Sequence, residues 1–78
     1  MKTYKLYIDY GRNDTRITDT KGNIIGTFSG NIPTLAESIY KLAKKKSYEL
    51  YIDTKVLGLA LYDYLVWKYT DLKVHKSC

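Results

Sequence analysis

The sequence predicts a small α/β (α+β) domain, a five-stranded mixed sheet with two helices in the order β-β-β-α-β-α-β. Three observations predict it. Apolar residues alternate at two-residue spacing in several short runs, as half-buried strands require. Turn-forming clusters separate the first three runs at hairpin distance. Two later stretches change to helical spacing, and each lies between strands.

Residues 3–9 form the first strand, with Tyr4, Leu6 and Ile8 on one side and Thr3, Lys5, Tyr7 and Asp9 on the other. Asp9-Tyr10-Gly11-Arg12-Asn13-Asp14 carries turn chemistry. Residues 15–19 make a short polar strand around Ile17, and Thr20-Lys21-Gly22-Asn23 turns the chain into a third strand, Ile24 to Phe28. Three strands joined by short turns read as an antiparallel meander.

Ser29 to Pro33 is a loop, and the first helix follows. Thr34-Leu35-Ala36-Glu37 matches a capping box, with Thr34 as N-cap and Glu37 reaching back. Leu35, Ile39, Leu42 and Ala43 share the buried face, and Lys44-Lys45-Lys46 closes the helix where cations suit its dipole. Tyr48 to Asp53 is the fourth strand, with Tyr48, Leu50 and Ile52 on one face. Residues 55–69 form the second helix, and Leu72-Lys73-Val74 a short fifth strand. A helix between two strands of one sheet implies a right-handed crossover and parallel pairing. The fourth strand should therefore run parallel to the first, and the fifth parallel to the fourth.

With 78 residues the chain makes one domain, residues 1–78. Its composition, 45% hydrophobic and 27% charged, is that of a folded protein. The net charge is +5, and all basic residues but Arg12 and Arg16 are Lys. That charge permits contact with nucleic acid or an acidic protein, and it also keeps a small protein soluble. Base-edge readers and dedicated phosphate clamps more often use Arg. The only Cys is Cys78, so no disulfide forms within the chain, and with one His (His75) a Cys/His zinc site is out of reach. The start lacks a secretory pattern and no apolar run is long enough to span a membrane, so a cytoplasmic protein is expected. Lys, Ile and Tyr richness with a single Pro suggests an AT-rich genome.

The tetrapeptide Leu-Tyr-Ile-Asp occurs twice, at residues 6–9 and 50–53, each time before a change of chain direction. With the element order, these Asp residues resemble the ribonuclease H-like fold trimmed to its core. The resemblance implies strand order 3-2-1-4-5. It also implies Asp9, Asp53 and Glu37 as metal-holding carboxylates, with Mg²⁺ or Mn²⁺ as cofactor for phosphodiester cleavage. In the family Asp-Gly-Ser follows the first strand, whereas this chain has Asp9-Tyr10-Gly11; Asp53-Thr54 is similar to the family's Asp-Ser. Helical geometry places Glu37 opposite the Leu35, Ile39 and Leu42 face, where capping accounts for it. Local structure also accounts for both Asp residues: Asp9 opens a turn, and Asp53 or Thr54 can N-cap the second helix.

The second helix carries two apolar faces. Leu57, Ala60, Leu61, Tyr64 and Leu65 make one; Leu59, Tyr62, Val66 and Tyr69 make the other. A helix on a two-layer domain needs one. A large contact with the first helix would absorb part of the second face, and the rest is expected to meet a protein partner, with a homodimer the simplest case. Nine Tyr in so short a chain support an interface. Tyr7 and Tyr51 stand side by side on adjacent strands, and core packing beneath a helix is the expected fate of that pair. Alternatively Lys5, Tyr7 and Tyr51 form a stacking platform for nucleic acid, with Lys44, Lys45 and Lys46 touching phosphates. No P-loop, dinucleotide fingerprint or nucleophile–base pair is present, so a non-enzymatic interaction protein is expected. Its small size, charge and start at Met1 suit a phage or mobile-element accessory protein that inhibits a host defence complex.

Overall fold

The computed structural model describes residues 4–54 and 57–77. Their elements are β1 (Lys5–Tyr10), β2 (Thr15–Thr18), β3 (Ile24–Phe28), α1 (Ile32–Ala43), β4 (Glu49–Ile52), α2 (Gly58–Lys68) and β5 (Lys73–Lys76). The sheet order is β3-β2-β1-β4-β5, as expected. The meander pairs antiparallel, with Ile8 opposite Ile17 and Thr15 opposite Phe28. β1 and β4 pair parallel with Leu6 beside Leu50, and β4 pairs parallel with β5, placing Leu50 beside Val74.

That order decides where the helices go. β3, β1, β4 and β5 all point the same way, and the two crossovers through α1 and α2 step across the sheet in one direction. Right-handed crossovers in one direction put their helices on one side. The core accordingly lies between one face of the sheet and both helices, built from Leu6, Ile8, Ile17, Leu50 and Ile52 with Ala36, Ile39, Ala43, Leu61 and Leu65. Leu35 is buried as expected, whereas Leu42, expected on the same face, is only partly buried. Thr15, on the core side of β2 two residues before Ile17, is also buried, and its hydroxyl lacks a hydrogen-bond partner among the described residues.

Several boundaries differ from the expectation. The capping box is not formed: α1 begins earlier, with Asn31 as N-cap accepting from the Thr34 amide at 3.0 Å. Pro33 then occupies the first turn, where its missing N–H leaves no orphan donor. Glu37, released from capping, pairs with Lys41 one turn on at 3.4 Å. At α2 neither Asp53 nor Thr54 is the N-cap; that position is Leu57, with no side-chain cap. Residues 55 and 56 of the expected helix lie outside the described residues, as does Thr3 of the expected first strand. The fifth strand runs to Lys76 rather than Val74.

Between α1 and β5 a polar clamp closes the amino end of the sheet. Lys44 Nζ lies 2.9 Å from Asp71 Oδ2, and the Tyr40 hydroxyl donates to the same oxygen at 3.1 Å. The Lys44 hydrogen bond holds the Asp71 carboxyl below the usual carboxylate range, and the same bond raises Lys44. The unfolded chain therefore takes up the Asp71 proton first as pH falls. The clamp's contribution is complete above the usual carboxylate range and is lost as pH drops through the lowered value. At the alkaline end it is lost as pH rises through the raised Lys44 value. Urea midpoints measured across the acid range should fall less steeply in Asp71→Asn than in the parent, and equal slopes would assign the acid sensitivity to other groups.

Candidate functional site

Because both helices cover one side, the opposite face of the sheet is bare among the described residues. Alternation places Lys5, Tyr7 and Asp9 there from β1, Arg16 and Thr18 from β2, Glu49 and Tyr51 from β4, and Lys73 and His75 from β5. Core packing of Tyr7 and Tyr51 beneath a helix is thus overturned: Tyr7 is exposed and Tyr51 half-buried, with no helix above them. The register sets Tyr7 level with Tyr51 and Tyr51 level with His75. Neighbouring strands lie about 4.8 Å apart, a spacing at which level rings stack. Tyr7 and Tyr51 have centroids 5.4 Å apart at 28°, and Tyr51 and His75 4.8 Å apart at 24°. Lys5 Nζ stands 5.5 Å from the Tyr51 centroid, and His75 Nε2 lies 3.0 Å from Glu49 Oε1. His75, set aside in the sequence as a lone ligand, completes a three-ring row. Its parallel pairing with Tyr51 was the missing signal, since the expected fifth strand stopped one residue short of it.

At the carboxyl ends of β1 and β4 a shallow hollow of about 280 Å³ is lined by Tyr7, Ile8, Asp9, Thr18, Tyr51, Asp53 and Ser77. Asp9 and Asp53 are therefore brought to one place, as expected for neighbouring parallel strands. Glu37 is not. It sits exposed on the outer side of α1, in the other layer, paired with Lys41. Among the described residues no three His, Cys, Asp or Glu side chains are grouped to hold a metal ion. Among the described residues Asp9 and Asp53 are thus brought together without Glu37, the third carboxylate of the set that the resemblance implies.

Lys44, Lys45 and Lys46 do not act as one charged run. Lys44 belongs to the Asp71 clamp, Lys45 is exposed, and Lys46 Nζ stands 5.6 Å from the Tyr4 ring centroid. Tyr4 meets Tyr48 edge to face at 5.7 Å. This amino end of the sheet is the basic end; the carboxyl end carries Asp9 and Asp53.

The surface of α2 divides differently from the predicted two faces. Gly58, Leu61 and Leu65 are buried, whereas Leu57 and Ala60, expected on the inner face, are exposed. Of the expected interface, Tyr62 and Tyr69 pack against the core, and Tyr69 stacks on Tyr40 at 4.2 Å and 15°. Leu59 and Val66 do face outward, 44% and 45% exposed. Trp67 joins them, 71% exposed. Sequence reasoning passed over Trp67, although positions 59, 60, 63, 66 and 67 follow the spacing of one helical stripe.

Among the described residues no helix is long and apolar enough to cross a membrane. Comparison with known families, curated proteins and solved structures finds no match to this chain.

Proposed function

We propose that the protein is a non-enzymatic interaction protein whose second helix seats against another polypeptide, a second copy of the chain in the simplest case. The observation that carries this reading is the outward stripe of α2. Trp67, the only Trp in the chain, stands 71% exposed beside Val66, Leu59 and Ala60, with Asp63 the one charge among them. A large aromatic side chain left in water on an apolar stripe forgoes the burial that would stabilise it, and Trp is enriched among residues that dominate binding energy. The inner side of α2 already satisfies the domain's own core through Leu61 and Leu65, so folding does not need the outer stripe. A basic domain, net charge +5, with such a stripe suits an accessory role in which it covers a surface of a larger assembly, such as a host defence complex.

Sedimentation velocity over a concentration series tests the reading. A dimer is expected. Leu59→Glu and Val66→Glu should each weaken association by about 2 kcal/mol, roughly thirtyfold in Kd. Asp9→Asn should leave it unchanged. A monomer at every concentration, with Trp67 freely quenched by iodide, would remove self-association.

A further inference from the structure

We infer that the amino end of the sheet binds single-stranded nucleic acid, at a site separate from the α2 stripe and independent of that reading. Two open grooves of about 570 Å³ and 640 Å³ meet there and share Tyr4, Lys46 and Tyr48. One continues past Lys44 to Lys73, the other past Lys21 to Lys5. Five ammonium groups therefore border one continuous path around two aromatic rings.

The acids along that path are engaged within the protein. Asp71 accepts from Lys44 and Tyr40. Asp19 accepts from the backbone amides of Lys21 and Asn23, both at 2.9 Å. Glu49 lies against His75. Lys5, Lys21, Lys46 and Lys73 form no ion pair among the described residues. Glu49 stands level with Lys5 and Lys73 on the neighbouring strands and Asp19 lies near Lys21, and five ammonium groups against three carboxylates leave this end net positive. A polyanion is the complement of that charge.

The rings narrow the class of polyanion. Tyr4 is 44% exposed, with Lys46 near its ring and Tyr48 at its edge. Lys5 links this end to the bare face, where its ammonium approaches Tyr51 in the three-ring row. The rings of that row are 5.4 Å and 4.8 Å apart. A base needs about 7 Å to enter between two rings, twice the roughly 3.5 Å contact distance. Bases therefore stack on Tyr4 and on the outer faces of Tyr7 and His75. Only unpaired bases offer their faces in this way, which selects a single strand over a duplex. Lysines without a bidentate Arg at the grooves make recognition tolerant of sequence.

Fluorescence anisotropy of the full chain with labelled oligo-dT and oligo-U of about 15 nucleotides, a length near the upper site size of one small fold, tests the inference. Binding is expected for one or both oligonucleotides, with a log–log salt slope near −3, since four phosphates neutralised on a single strand give about −0.7 each. Lys46→Glu should weaken binding about tenfold. Tyr4→Leu and Tyr7→Leu, at exposed positions that leave the core intact, should each weaken it roughly 5- to 100-fold, as loss of one stacked base does. Trp67→Lys should bind like the parent, and circular dichroism of each variant should match it. Absence of binding at low salt would overturn the inference. So would equal affinity for poly-glutamate, or Tyr variants that bind like the parent while Lys46→Glu does not, because attraction would then be to charge alone.

Discussion

Gly58→Ala is expected to destabilise the domain by about 2–3 kcal/mol, the range for forcing extra volume into a packed site. At an ordinary helical position the same change stabilises by up to about 1 kcal/mol. The sign reverses here because a Cβ at Gly58 would fall on the Asp53 carbonyl oxygen and come within 3.1 Å of Ile52 Cγ2. The first of these is backbone, so no rotamer change relieves it. Gly58 is buried at the first turn of α2, where the N-cap, Leu57, offers no side-chain acceptor. Close approach to the end of β4 thus anchors a helix start that lacks a cap. Thermal unfolding should fall by roughly 10–20 °C for a domain of this size. Ala60→Gly, at an exposed position of the same helix, should cost only about 1 kcal/mol. A stabilising Gly58→Ala would mean that α2 stands farther from β4 than the structure shows.

Leu50→Ala is expected to cost about 3–4 kcal/mol, within the range for a leucine truncated in a core. Leu50 is fully buried on the strand between β1 and β5, flanked by Leu6 and Val74. Against a total of roughly 4–12 kcal/mol for a domain of this length, that loss is a large fraction of stability. The adjacent residue gives the contrast. Tyr51→Ala removes a larger side chain, but from the bare face, and should cost about 1 kcal/mol through lost ring stacking. Urea unfolding of the two variants measures the asymmetry. Equal losses would indicate a second covered face and would contradict the one-sided architecture.

Much of the architecture was legible because it rests on strong patterns. Leu6 and Ile8 repeat at Leu50 and Ile52, and two helical stretches between strands leave few topologies open. The bare face was legible in principle too. Once the order 3-2-1-4-5 was set, two right-handed steps in one direction already excluded a helix over Tyr7 and Tyr51. Propensity for buried parallel strands was weighed instead, and it misled. The α1 start was misread because Thr34 and Glu37 fit a capping box, while Asn31 and Pro33 fit an earlier start equally well. The packing of Ile32 against the core and the Asn31 cap on the Thr34 amide distinguish the two. The start of α2 offered no cap signal, since what holds it is a backbone approach at Gly58 that no side-chain pattern encodes. For the site, the Asp9 and Asp53 juxtaposition followed from strand adjacency. His75 and Trp67 did not emerge, because one depended on the register of the fifth strand and the other on the rotation of α2 about its axis.

The position of β1 has a kinetic consequence. It lies between β2, its immediate successor in the chain, and β4, where Lys5 meets Glu49 only after the meander and α1 have passed. Half of its hydrogen-bonding edge can be completed early and locally. The other half waits for a long loop to close, and loop closure is an entropic barrier met before the contacts that reward it. The meander on its own exposes Leu6, Ile8 and Ile17 on one flat side, so it has no stable resting point before β4 arrives. Folding should therefore proceed as one cooperative event limited by the β1–β4 pairing, and fragments ending before β4 should remain unstructured.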